Sequence, residues 1–196
     1  MKAAIRRWRR LARDALVSGS AASVASTLVI AACSRIDARH TAAGTNATSH
    51  WLWGRTARKR QGPSGRYTLV GYAIHHASSL WWGAIHVLLL AGARRRGVCA
   101  DDRVRCAGLA AAISAIAYGV DYHVVPRRLT PGFESHLRPR SMLAVYAAFG
   151  VGLALSSLAL ARHRRAAAAG GTAFRMAVHS VAAARPAPRP RRRMQR

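Results

Sequence analysis

The stretch from Gly71 to Arg96, GYAIHHASSLWWGAIHVLLLAGARRR, decides the fold because it has no formal charge until three arginines close it. A helix rises about 1.5 Å per residue, so roughly 20 apolar residues cross the ~30 Å hydrocarbon layer of a membrane. The same stretch contains His75, His76 and His86, which a purely lipid-facing helix does not need. It therefore predicts a membrane helix that also carries polar chemistry.

Three other stretches of similar length share this freedom from charge, the third span being interrupted only by Asp121. The expected spans are residues 15–34, 67–93, 105–126 and 141–161. They predict an all-α polytopic membrane protein, a four-transmembrane-helix bundle over 15–161. A basic N-terminus precedes it at 1–14, and a basic, largely disordered cytoplasmic tail follows at 162–196.

Charge sets the expected orientation of these spans. The 196 residues are 51% hydrophobic yet carry a net charge of +26, so apolar and basic residues must be segregated along the chain. Segments 1–14, 94–105 and 162–196 together hold 21 basic residues, against 11 in the loops 35–66 and 127–140. Because cytoplasmic segments are enriched in Lys and Arg, both termini are predicted inside, in a bacterial inner membrane.

The basic ends also predict the partners. The tail from about Ala183 onward is rich in Pro and Arg, which favours disorder and attraction to anionic lipid headgroups. Nucleic acid is the weaker interpretation, since topology already accounts for these charges. A homo-oligomer or another membrane protein is a further candidate partner.

The first span admits a second interpretation. It ends IAAC at Cys33 after a basic start, which matches a lipoprotein signal cleaved before a lipidated cysteine. Its length equally suits a retained span. The sequence leaves lipidation at Cys33 open.

Rows of small residues at four-residue spacing mark faces where membrane helices approach closely. The expected rows are Gly19, Ser23 and Thr27; Gly71, His75, Ser79 and Gly83; Ala107, Ala111, Ala115 and Gly119; and Ala144, Ala148, Gly152 and Ser156. The second row turns the His75 side chain toward neighbouring helices. The expected depth of His75 in the membrane is similar to that of Asp121. We therefore expect His75, more than His76 or His86, to pair with Asp121.

Polar candidates concentrate on the outer side. The loop sequences SHWLWG and TPGFESH place further imidazoles and a carboxylate near that end of the bundle. The metal or proton candidates are His75, His76, Asp121, His123, His50, Glu134 and His136. Imidazole and carboxylate suit Zn²⁺ or another first-row divalent metal, and imidazole titrates near neutral pH, although no cofactor is required. Alternatively, the histidines only fasten helices by hydrogen bonds.

Two aromatic residues and one turn complete the outer loops. Trp51 and Trp53 are predicted interfacial anchors or part of a short surface helix that begins at Asn46 or Thr48. Thr130 to Phe133, TPGF, predicts a turn.

Four segments carry a resemblance: NATSHWLWG, RYTLVGYAIHHASSLWW, DYHVVPRRLTPGFESHL and VYAAFGVGLAL. They resemble a group of small, uncharacterised four-span inner-membrane proteins of proteobacteria. The likeness runs from about Asp14 to Ala161 and implies fold and location, with no activity or functional residue to transfer.

Two functions compete at this point. One is an integral membrane protein with a His/Asp/Glu proton- or cation-binding site on the periplasmic side. The other is a structural or helper subunit of a membrane complex without a ligand site. The chain has no GxSxG, HExxH or Gly-rich phosphate loop, so no enzyme is predicted.

Overall fold

The computed structural model describes residues 1–96 and 102–183, and all regular structure in these two ranges is helical. Six α-helices follow one another: α1 Lys2–Asp37, α2 Ala43–Thr48, α3 His50–Arg58, α4 Gly65–Arg95, α5 Asp102–Gly119 and α6 Pro139–Ala183. A π-helical segment, Val120–Val124, extends α5, and a 3₁₀ turn, Phe133–Ser135, precedes α6. The helices at the four predicted spans thus form, with α1 and α4 longer at both ends than expected.

Three of the four long helices are long and apolar enough to cross a membrane: Lys2–Asp37, Arg103–Val124 and Pro139–Ala167. The fourth, α4, has the length but a lower hydropathy, because His75, His76 and His86 join serines and tryptophans in it. All-helical architecture is confirmed, together with three candidate spans. A fourth span stays a prediction.

Helix α1 lies between α4 and α6 and runs antiparallel to both. On α4, Gly19 faces Gly83 and the hydroxyl of Ser26 lies 2.9 Å from Nε2 of His75. On α6, Ser18 Oγ lies 2.8 Å from Ser156 Oγ. These contacts run in opposite order along the paired helices, and glycine and serine allow the close approach that membrane helices need.

The packing rows were predicted correctly only in part. Gly71, Ser79 and Gly83 are buried in α4, and Gly152 of α6 packs against α1. The α5 row was wrong, because Ala107, Ala111 and Ala115 are exposed. The buried face of α5 comprises Cys106, Ala110, Ile113, Ser114 and Ala117. The larger side chains of Ile113 and Cys106 on this face fill the core. A row of alanines in an Ala-rich helix does not by itself identify the packed face.

The apolar core has two parts. Ala22, Ile113, Phe149 and Leu153 form one cluster in the middle of the helices. The other surrounds Phe133, Ile30, Val145 and Tyr146 at the end where α1 and α5 finish and where α4 and α6 begin. Phe133 belongs to the connection before α6, so this connection is part of the core.

The first loop folds over the same end of the bundle. Every residue from 42 to 50 is buried, and α2 with its flanks forms a plug of small side chains, which we call the α2 plug. Asn46, fully buried, holds it in place: its amide donates to the carbonyls of Arg60 and Gly62, and its oxygen accepts from Thr68 Oγ1 at 2.6 Å. The predicted surface helix is thus a buried plug followed by α3, which begins at His50.

Both outer loops meet at this plug. Gly132 has φ 90°, a left-handed conformation that glycine adopts without strain, and the chain bends at this residue within the predicted TPGF turn. A Cβ at this position would lie 2.5 Å from the carbonyl oxygen of Ala47. The two loops therefore pack on each other at one end of the bundle, and their common side of a membrane stays a prediction.

The last helix continues beyond residue 161, where the fourth span was predicted to end. Helix α6 continues to Ala183, which alanines at 166–169 favour by their helix propensity. Residues 161–196 form a unit separate from 1–160. The predicted disorder from about Ala183 onward falls almost wholly on residues 184–196, outside the described ranges.

Candidate functional site

A cavity of about 50 Å³ lies at the outer-loop end of the bundle, and all four long helices contribute to its wall. The polar wall residues of the long helices are Ser26 of α1, His75, Ser78 and Ser79 of α4, Asp121 of the π-helical segment and Tyr146 of α6. The α2 plug adds Thr48, and Phe133 covers the cavity from the second loop. A water molecule needs roughly 10–15 Å³ on this scale, so the cavity accommodates a few waters or one small cation.

His75 is oriented by Ser26. The Ser26 hydroxyl lies 2.8 Å from the Ala22 carbonyl, to which it donates, and 2.9 Å from His75 Nε2. A hydroxyl has a single hydrogen, so this arrangement is satisfied when Nε2 carries the proton and donates to Ser26. The other ring nitrogen, Nδ1, then keeps its lone pair and is the atom that can accept a proton.

Asp121 is oriented by Tyr146. The phenol of Tyr146 donates to Asp121 Oδ2 at 2.6 Å, and the backbone carbonyl of Tyr146 accepts from Ser114. Asp121 stands at the start of the π-helical segment, a widened turn that interrupts regular helices and that recurs at functional sites. A carboxylate with one hydrogen bond and no cationic neighbour in the cavity wall is an acceptor for positive charge.

The structure brings His75 and Asp121 to one cavity, as expected from their depth, but it does not pair them directly. His75 bonds to Ser26, and Asp121 bonds to Tyr146. No direct hydrogen bond joins the two residues, and energetic coupling between them stays a prediction. His75 lies closer to a serine of α1, and Asp121 closer to a tyrosine of α6, than the two residues lie to each other. Residue spacing along α4 and α5 does not predict partners on other helices.

The other predicted site residues separate into two groups. In the outer layer, His50 Nδ1 donates to the Ala47 carbonyl at 2.9 Å, and His136 Nε2 donates to the Arg58 carbonyl at 2.8 Å. Glu134 accepts from Thr130 Oγ1 at 2.9 Å. These three residues fasten the loops, and none of them lines the cavity.

His76 and His123 lie away from the cavity wall. His76 stacks on Tyr72 one turn earlier in α4, with ring centroids 5.5 Å apart. His123 is exposed, with its ring edge toward Tyr118. Only His75 and Asp121 of the seven predicted residues therefore meet in one cavity.

A metal centre finds no support in this arrangement. Within residues 1–96 and 102–183, no group of three or more His, Cys, Asp or Glu side chains could hold a metal ion. A divalent first-row metal generally takes at least three protein ligands, and the cavity offers one imidazole and one carboxylate. The cavity therefore lacks the ligand set that Zn²⁺ or another first-row metal would need.

The two predicted anchors serve different contacts. Trp51 is half-buried, lines the cavity and donates from its indole to the Thr130 carbonyl at 2.9 Å. Trp53 packs edge-on against Tyr67 at 5.0 Å, with the Arg66 guanidinium 4.7 Å from its ring centroid. Trp51 thus joins the two outer loops, and Trp53 packs on the start of α4.

Two polar contacts of the structure were not predicted from the sequence. His86 is fully buried and its Nδ1 lies 3.5 Å from Ser157 Oγ, at the end of the bundle opposite the cavity. Asp37, at the end of α1, accepts from the backbone N–H of Arg138 at 3.0 Å and from Ser141 Oγ at 2.6 Å. The serine pair at 156 and 157 was a visible signal for the first contact. Nothing local signals the second, since its partners are about a hundred residues away.

Comparison with known proteins returned no match: no family model, no curated protein and no solved structure is similar to this chain.

Proposed function

We propose that the chain is a four-span bacterial inner-membrane protein, with both termini inside, whose outer cavity takes up a proton or a small monovalent cation between His75 and Asp121. The observation that carries the proposal is the shared cavity itself, which collects both ionisable groups from different helices.

The fourth span rests on the pairing of α4 with α1. Contacts run along this pair from Ser26–His75 to Gly19–Gly83, about two helical turns apart. A helix that lies beside a membrane span over this length occupies the same depth of the bilayer. His75, Ser78 and Ser79 of α4 line the cavity and His86 contacts α6, so the lower hydropathy of α4 fits a helix largely surrounded by protein.

The ligand class follows from the charges of the wall. An ionised Asp121 is the sole formal charge among the residues that line the cavity, and no arginine or lysine offsets it there. An uncompensated charge inside a membrane is costly, so positive charge is favoured at this place. His75 offers a second acceptor at Nδ1, and the cavity volume excludes a larger organic ligand.

Intrinsic fluorescence tests the proposal, because Trp51 and Trp82 both line the cavity. In reconstituted protein we expect an emission change on acidification that is lost or displaced in Asp121→Asn and in His75→Gln. His123→Gln serves as the matched control, since that histidine is exposed outside the cavity. Titration with ammonium or sodium ions at constant pH separates cation binding from protonation.

Identical pH profiles in wild type and in both cavity variants contradict the proposal. If those variants lose only thermal stability, His75 and Asp121 fasten helices and the helper-subunit alternative is favoured instead.

A further inference from the structure

A second, wider cleft of about 470 Å³ lies on the outer face, beside the cavity layer. Four arginines line it: Arg55 and Arg58 from α3, and Arg127 and Arg128 from the segment after the π-helical segment. This volume falls within the roughly 300–1,000 Å³ typical of ligand pockets. The sequence did not predict that these arginines lie together, because the two pairs belong to different loops.

The positive charge of this cleft has no counterpart in the described part of the chain. No aspartate or glutamate lines it, and none of the four arginines takes part in an ion pair. By contrast, Arg60 and Arg66 of the same loop lie over aromatic rings, and Arg138 pairs with Asp37. Guanidinium groups bind phosphate through paired N–H donors, so convergent unpaired arginines indicate a phosphate ligand.

The two walls are fixed before any ligand binds. The Trp51 indole donates to the Thr130 carbonyl at 2.9 Å, and His136 donates to the Arg58 carbonyl at 2.8 Å, so α3 and the second loop are joined at two points. His50 also lines the cleft, is 5% exposed, and has no hydrogen-bond partner at Nε2. Its Nδ1–H donates to the Ala47 carbonyl and its Nε2 is buried, so His50 forms part of the fixed wall of the cleft.

We infer that this cleft binds the phosphate of an anionic phospholipid in the outer leaflet of the membrane. The position selects a lipid over free phosphate: Arg127 and Arg128 follow directly on the span that ends at Val124, so they lie at headgroup depth. Leu52, 64% exposed, lines the same cleft and offers an apolar contact for the lipid. The inference rests on the membrane placement proposed above, and it is independent of proton uptake in the cavity.

Lipid retention tests it directly. The purified protein is exposed to mixed micelles of phosphatidylglycerol and phosphatidylcholine, and bound lipid is counted by native mass spectrometry. Each arginine near a charged headgroup contributes about 1 kcal/mol, so we expect roughly a fivefold loss of phosphatidylglycerol preference for each arginine replaced. The test variant is Arg127→Gln with Arg128→Gln, and the control of equal charge change is Arg39→Gln with Lys59→Gln, both exposed and outside the cleft.

Three outcomes overturn the inference: no preference for phosphatidylglycerol in wild type, an equal loss in test and control variants, or displacement of the lipid by inorganic phosphate. If the double variant unfolds, Arg55→Gln on α3 gives the same readout from the other wall. Failure of the membrane placement is distinguishable, since the protein would then stay out of liposomes altogether. A protein that inserts but shows no lipid preference refutes the cleft alone.

Discussion

Gly19 and Gly83 are in backbone contact: a Cβ added to Gly83 would lie 2.7 Å from the Cα atom of Gly19. No side chain can intervene at this crossing, which sets the distance between α1 and α4. The first prediction follows from it. Gly83→Ala should destabilise the protein by about 1–3 kcal/mol, because the helices must separate to admit the methyl group.

Gly92→Ala is the matched control on the same helix, since a Cβ there meets nothing within 4 Å. Alanine is the better helix former, so this variant should be neutral or more stable by up to about 1 kcal/mol. Thermal unfolding in detergent measures both variants. Equal effects of the two substitutions would show that α1 and α4 do not cross at Gly19.

The hydrogen bond from Tyr146 to Asp121 predicts strong coupling between these two residues. In a double-mutant cycle, Tyr146→Phe and Asp121→Asn should be non-additive in stability by roughly 0.5–2 kcal/mol. Tyr72→Phe with Asp121→Asn should be additive, because Tyr72 stacks on His76 outside the cavity. His75→Ala with Asp121→Asn should show a smaller coupling than the Tyr146 pair. A larger coupling for His75 would favour the direct pairing expected from the sequence.

Asp37 caps α6 from the end of α1, and this contact predicts a graded loss of stability. Asp37→Ala removes both hydrogen bonds, from the Arg138 N–H and from Ser141, and should lower the free energy of unfolding. Asp37→Asn keeps one acceptor oxygen and should lose less. Chemical denaturation of the two variants checks the order, and an Ala variant as stable as the Asn variant contradicts the capping role.

The α2 plug depends on Gly71, whose added Cβ would overlap the carbonyl oxygen of Thr45. Gly71→Ala should therefore displace the plug and open the cavity to water. In a background without native cysteines, a membrane-impermeant maleimide should label Thr48→Cys, buried in wild type, faster when Gly71→Ala is also present. Gly65→Ala, which meets nothing within 4 Å, is the control on the same helix. Unchanged labelling would place the plug elsewhere.

Reporter fusions distinguish four spans from three. With four spans and both termini inside, fusions after Arg58 and Arg138 are active only as exported reporters, and a fusion at Arg165 behaves as cytoplasmic. If α4 does not cross, the fusion at Arg138 becomes cytoplasmic while that at Arg58 stays outside. The Arg138 fusion therefore decides the number of spans, and a cytoplasmic Arg58 would refute the orientation.

The sequence by itself determined where the long helices lie, because a long, mostly apolar stretch satisfies its backbone hydrogen bonds internally when it forms a helix. It also determined that the two long loops lie at one end of the bundle and that His75 and Asp121 lie at a similar height along it, since both follow from helix geometry along the chain. The contact at Gly83 could be anticipated from small-residue spacing in α4.

Only the tertiary structure decided which face each helix buries and which groups become partners. The serine that orients His75, the tyrosine that binds Asp121 and the carboxylate that caps α6 come from other helices, and nothing in local spacing points to them. The α2 plug is a loop by composition, yet it is buried because Asn46 satisfies three backbone and side-chain groups at once. Such contacts depend on the rotation and register of the packed helices. Small residues allow several rotations and registers, and the complementarity of the side chains selects one of them.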